Sequence, residues 1–135
     1  MRTSIAGPLL IASLLAASCT TPAKNSTPTT HMNQTGHTVT LLGFPGCPNT
    51  PELAGRLEEA LRIARLDLPV EHIDLTTLPD SDPRRGYGAP TVLVGGRDLL
   101  GHPPAASTAL TCRVYPGGLP DTHALAAALS KATNR

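Results

Sequence analysis

Beyond residue 38 the spacing of apolar positions changes several times, and each change predicts an element. Val39-Thr-Leu-Leu42 is a short β-favouring run, read as a buried strand, and it breaks at Gly43-Phe-Pro-Gly46. Leu53, Leu57, Ala60, Leu61 and Ala64 then fall on one face at period 3.6, predicting a helix over 50–66. Arg56, Glu59, Arg62 and Arg65 cover its other side. Two starts are open: Cys47 caps with Pro48 first in the helix, or Thr50 caps with Pro51 there. Leu68-Pro69 should stop this helix, and 69–75 reads as a second strand. Prolines and aspartates across 76–85 leave only a short, irregular helix there. Residues 91–94 form a third strand, Gly95-Gly96 a two-residue hairpin turn, and 97–100 the returning strand. A long connection over 101–118 is a functional suspect by its length alone. A last helix from about Asp121 presents Leu125, Ala128 and Leu129 on one face. The fold class is therefore α/β. A right-handed crossover makes the first two strands parallel and the hairpin adds an antiparallel pair, giving a mixed four-stranded sheet, βαβ–α–ββα, flanked by helices.

The N-terminal pattern is of another kind. Met1-Arg2 is positive, and Ile5 to Ala17 is mostly apolar but too short to span a bilayer, which predicts a signal peptide over 1–18. Leu14-Leu-Ala-Ala-Ser-Cys19 resembles the lipobox of bacterial lipoproteins, although Ala16 stands where that family prefers Leu. The resemblance implies an acylated Cys19 and an exported domain anchored to the bacterial cell membrane. An ordinary cleaved signal peptide and a start at Met32 are the alternatives. Residues 19–37 lack any apolar period and read as a disordered tether, with the globular domain over 38–135.

Composition narrows the partners. The chain has 135 residues, with 11 Lys and Arg against 10 Asp and Glu, so it is nearly neutral. Its aromatics are Phe44, Tyr87 and Tyr115, with no Trp and no basic stripe, which argues against nucleic acid as a partner. A monomer is expected, and no residue pattern calls for a cofactor or a resident metal. With Cys19 assigned to lipid, the three cysteines leave one pair, Cys47 and Cys112, in a compartment where disulfides persist.

Cys47 follows a strand and precedes a helix, where the partial positive charge and free N–H groups of the helix start favour thiolate. The glycines and prolines around it predict an exposed turn. Strand–turn–Cys-Pro-x-x–helix, the element order, and Ala89-Pro90-Thr91-Val92 before the third strand together resemble the thioredoxin-like fold. That resemblance implies a cis Pro90 beside the cysteine, and a substrate aligned as an extra strand on the backbone of Ala89 and Pro90. It also implies thiol–disulfide exchange with protein or small-molecule thiols and disulfides through Cys47. The second cysteine of the family's Cys-x-x-Cys is Thr50 here, which can donate a hydrogen bond to the thiolate. Cys112 is then either a resolving thiol, half of a structural disulfide, or alone in its loop, with Arg113 a cation that would favour its thiolate. His102 is a weak candidate for base or metal ligand, Arg84-Arg85 for steering an anion, and Asp74 and Asp98 read as strand-end carboxylates. Two other readings stand beside exchange: a soft-metal (mercury or copper) binding protein using Cys47 and Cys112, and a non-catalytic scaffold whose disulfide is structural.

Overall fold

A computed structural model describes residues 37–134. The expected signal peptide, most of the tether and Cys19 lie outside the described residues. The elements are β1 (Val39–Gly43), α1 (Asn49–Ala64), β2 (Val70–Asp74), β3 (Thr91–Val94), β4 (Arg97–Asp98) and α2 (Thr122–Thr133). They form one mixed four-stranded sheet, ordered β2-β1-β3-β4. β1 and β2 run parallel across the α1 crossover, whereas β3 is antiparallel to both β1 and β4. The predicted α/β order and strand directions are therefore present.

Alternation along the central strand sorts its side chains into two cores. Val39 and Leu41, with Val92 and Val94 of β3, pack against Leu53, Leu57, Ala60 and Leu61 of α1 and Leu125, Ala126 and Leu129 of α2. Leu42 and Leu93 point to the other face, into a smaller cluster with Cys47, Leu75 and Ala89, edged by Phe44, Ile73, Leu78 and Tyr87. No α-helix covers this second face among the described residues. Two short 3-10 turns, Leu75–Thr77 and Pro83–Tyr87, replace the irregular helix expected over 76–85. Asp74 and Asp82 cap them, each accepting a hydrogen bond from a backbone N–H two residues on, and prolines between them prevent a longer helix.

Several boundaries differ from expectation for local reasons. The start of α1 follows neither predicted register: Pro48 is the N-cap and no side chain caps it. Pro51 is tolerated because the first N–H groups of a helix have no intrahelical acceptor to lose. The other end of α1 stops before Leu68-Pro69, at a left-handed Arg65 with φ of 55°. Leu66 N–H bonds Leu61 carbonyl and Arg65 N–H bonds Arg62 carbonyl, a helix-ending pattern that normally uses glycine. Arg65→Gly is expected to relieve the strain and raise unfolding free energy by roughly 0.5–1 kcal/mol, read by urea denaturation. Both hairpin glycines have positive φ, 58° and 77°, and β4 is shorter than expected. Arg56 does not simply cover an outer face: its guanidinium donates to the Leu119 and Pro120 carbonyls and so ties α1 to the approach of α2.

Candidate active site

The site is built where β1 hands over to α1. Gly43 ends the strand without a side chain, and a Cβ there would lie 2.5 Å from Thr50 Cγ2, so the glycine makes room for Thr50. Pro45, Gly46 and Pro48 are exposed, but Cys47 is only 4% exposed, packed in the second core cluster. The expected exposed turn is therefore an exposed rim around a buried sulfur. The turn closes by hydrogen bonds from Cys47 N–H to Phe44 carbonyl and from Thr50 N–H to Cys47 carbonyl. A largely apolar groove of about 750 Å³ runs against it, lined among others by Cys47 itself, Phe44, Pro45, Pro48, Thr50 and Ile73.

The structure brings Cys112 to this sulfur. The two Sγ atoms are 3.7 Å apart, with the Cys112 thiol donating toward Cys47, and both cysteines are free. A disulfide would be about 2.05 Å, so the pair lies in contact and short of a bond. Cys47 Sγ in turn donates to the Ala89 carbonyl at 3.5 Å. Cys112 is exposed, unlike its partner.

Cys112 arrives on a strap, the 101–118 connection, which is sewn across residues 85–90 backbone to backbone. Ala105 N–H bonds Gly86 carbonyl, Ala89 N–H bonds Thr111 carbonyl, and Arg113 N–H bonds Ala89 carbonyl at 2.7 Å. The last two make an isolated parallel bridge between Ala89 and Cys112. At Gly86 a Cβ would meet Ala105 carbonyl oxygen at 2.4 Å, so Gly86→Ala is expected to push the strap away and cost about 1–3 kcal/mol in a thermal unfolding assay. The Ala89–Pro90 peptide is cis, as the resemblance implied. The Ala89 and Pro90 backbone, expected to take a substrate strand, is engaged inside the chain: Ala89 by the strap, Pro90 carbonyl by Tyr115 hydroxyl at 2.6 Å.

A polar clamp holds the strap, and sequence reasoning missed it. The Arg113 guanidinium forks onto Asp98, Nη1 to Oδ1 at 2.9 Å and the second nitrogen to Oδ2 at 3.0 Å, while also donating to Thr91 Oγ1. Asp98, whose side chain is 1% exposed, accepts a further bond from His102 N–H. The guanidinium stacks 4.6 Å from the Tyr115 ring centroid. The signal was available in Cys112-Arg113-Val114-Tyr115. Alternation in an extended segment turns residues 113 and 115 the same way, and Val114 between them is 85% exposed.

The two thiols differ in acidity. For Cys47, burial pushes the pKa up, but hydrogen bonds from the Thr50 hydroxyl, Asn49 N–H, the Cys112 thiol and Thr50 N–H outweigh it, and the net shift is downward. For Cys112, donation to Cys47, desolvation and the neighbouring thiolate charge all raise the pKa. Arg113 does not lower it, contrary to expectation, because its charge is committed to Asp98. Thr50 Oγ1 is buried and makes no hydrogen bond in this structure, and a thiolate at Cys47 would give that hydroxyl its acceptor. Thr50→Val is therefore expected to stabilise the folded thiol form by about 1 kcal/mol and to move Cys47 ionisation to higher pH. Thiolate ultraviolet absorbance, followed as pH falls, should vanish earlier in the variant than in the wild type.

The remaining candidates are placed away from this chemistry. His102 is exposed and bonds Asp98 through its backbone N–H. Arg84 pairs with Asp82, whose carboxyl its guanidinium holds down at about 2. Arg85 donates to the Leu78 and Thr108 carbonyls and pairs with Asp80, so it braces the strap and its charge already has a carboxylate. Asp74 is a strand-end cap, whereas Asp98 is a buried ion-pair partner. Among the described residues there is no cluster of three or more His, Cys, Asp or Glu placed to hold a metal ion. No described helix is long and apolar enough to cross a membrane.

Compared with known proteins, the chain matches no family model, no curated protein and no solved structure. Geometry carries the chemical conclusion: two free thiols, one buried and one exposed, stand in contact and can exchange a proton or, given a two-electron acceptor, close a disulfide.

Proposed function

We propose that this protein is an extracytoplasmic thioredoxin-like oxidoreductase, anchored through Cys19, that performs thiol–disulfide exchange through the Cys47–Cys112 pair. The observation that carries the reading is the 3.7 Å contact between the sulfurs, with the hydrogen bond running from Cys112 to Cys47. In the reducing direction the pair gives two electrons to a partner's disulfide. The partner leaves as two thiols and the pair closes as Cys47–S–S–Cys112. The missing second cysteine at position 50 is thus supplied from the strap, and Thr50 keeps a hydroxyl for the Cys47 thiolate. The β-α-β and β-hairpin-α halves and the cis Pro90 beside the cysteine support the thioredoxin-like comparison. Partners are thiols and disulfides of proteins or small molecules.

Equilibration of the purified domain in thiol–disulfide buffers of graded potential tests this reading. The pair should cycle between dithiol and disulfide at a potential above about −300 mV, whereas a purely structural disulfide should lie below it. A soft-metal site is the competing reading, because thiolates suit such ions. Stoichiometric binding of mercury or copper(I) by the reduced pair, without turnover of any disulfide, would replace exchange with that function.

A further inference from the structure

Within the exchange reading, the two sulfurs are not interchangeable to a partner. Cys47 sits among Leu42, Leu75, Ala89 and Leu93, and its sulfur is further covered by Cys112. Cys112 is an exposed residue, as are its neighbours Thr111 and Val114. The backbone beside Cys47 that an incoming strand would use is already bonded to residues 111, 113 and 115. In thiol–disulfide exchange the entering, central and leaving sulfurs lie in line, so access decides which sulfur is attacked. An entering thiolate that approaches Cys112 from solvent has Cys47 behind it as the leaving group. One that approaches Cys47 is left only the groove that Cys47 helps to line, at a residue 4% exposed, because the packed cluster and Cys112 cover its other sides.

We propose that partners exchange with Cys112, the exposed cysteine, and that Cys47 stays inside as the internal partner that receives and returns the electron pair. With the pair oxidised, an external thiolate RS⁻ bonds to Cys112 Sγ and the Cys47–Cys112 bond breaks. Its electron pair stays on Cys47 as thiolate. A second RS⁻ then attacks the partner sulfur of the mixed disulfide, releasing RSSR and the Cys112 thiolate, which takes a proton from water. Two external thiols are oxidised and one protein disulfide is reduced. In the first step the thiolate that forms on Cys47 can accept from the Thr50 hydroxyl and the Asn49 N–H beside it, which makes Cys47 the better leaving group of the two. The strap stays docked throughout, so the partner is a small thiol or a cysteine on a flexible segment rather than a strand added at Ala89.

The test is to mix the fully oxidised protein with reduced glutathione as probe, quench within the first turnover with acid and N-ethylmaleimide, and map both cysteines by peptide mass spectrometry. Glutathione on Cys112 and maleimide on Cys47, in about tenfold or greater excess over the reverse, is the expected result. Glutathione on Cys47, or an even split, overturns this assignment while leaving dithiol exchange intact. A protein that forms no Cys47–Cys112 disulfide under any oxidant overturns both.

Discussion

Closing the Cys47–Cys112 disulfide is expected to stabilise the folded domain by roughly 4 kcal/mol, because the two sulfurs stand 65 positions apart and the bond removes a large loop entropy from the unfolded chain. The native cost is small in kind: the sulfurs already touch, and the strap is already bonded to Ala89 on both sides of Cys112. Urea unfolding of fully oxidised and fully reduced protein measures the difference. Cys112→Ser and Cys47→Ser should each abolish it, and each should also abolish multiple turnover of a model disulfide. An oxidised form no more stable than the reduced one would mean that closure drags the strap out of its place. The stabilisation of the disulfide state also bears on potential, since whatever stabilises the oxidised fold makes the pair a better reductant.

The second large effect is expected at the clamp. Arg113→Met removes the guanidinium from Asp98, which is 1% exposed and would keep the bond from His102 N–H. Leaving one member of a buried ion pair uncompensated costs about 3–5 kcal/mol, far more than an exposed pair such as Arg62–Glu59 contributes. The double variant Asp98→Asn with Arg113→Met should recover much of that loss, since no buried charge then remains. Equilibrium unfolding of the four proteins gives the coupling between the residues. If Arg113→Met alone cost less than about 1 kcal/mol, the clamp would be an exposed, solvated pair in solution. Because the guanidinium anchors the segment that carries Cys112, the single variant should slow closure of the disulfide, and the double variant should restore folding without fully restoring closure.

Much of the frame was legible along the chain. The 3.6 period from Leu53 to Leu61 marked the buried face of α1, and Gly95-Gly96 marked the hairpin. Ala126 rather than Ala128 completes the buried face of α2, because the helix packs on α1 as well as on the sheet. The ends were less legible. Arg65 takes a glycine's conformation at the end of α1, a choice no propensity favours and only the surrounding packing can hold. The 76–85 segment contained the right warning, its prolines and aspartates, but not which 3-10 turns would cover the second core.

The sequence by itself determined the periods, and through them the strands, the helices, the parallel crossover and a cysteine at a helix start. These follow from which side chains prefer water, and that preference is local. Three things waited on the folded chain: Cys47 is buried, Cys112 lies against it, and Arg113 serves Asp98 rather than a thiolate. All three depend on the path of an 18-residue connection without regular structure, which leaves no period to read. Its course is set by backbone hydrogen bonds to Gly86 and Ala89 and by one buried ion pair, interactions between residues far apart in sequence that acquire meaning only once the sheet has brought them together.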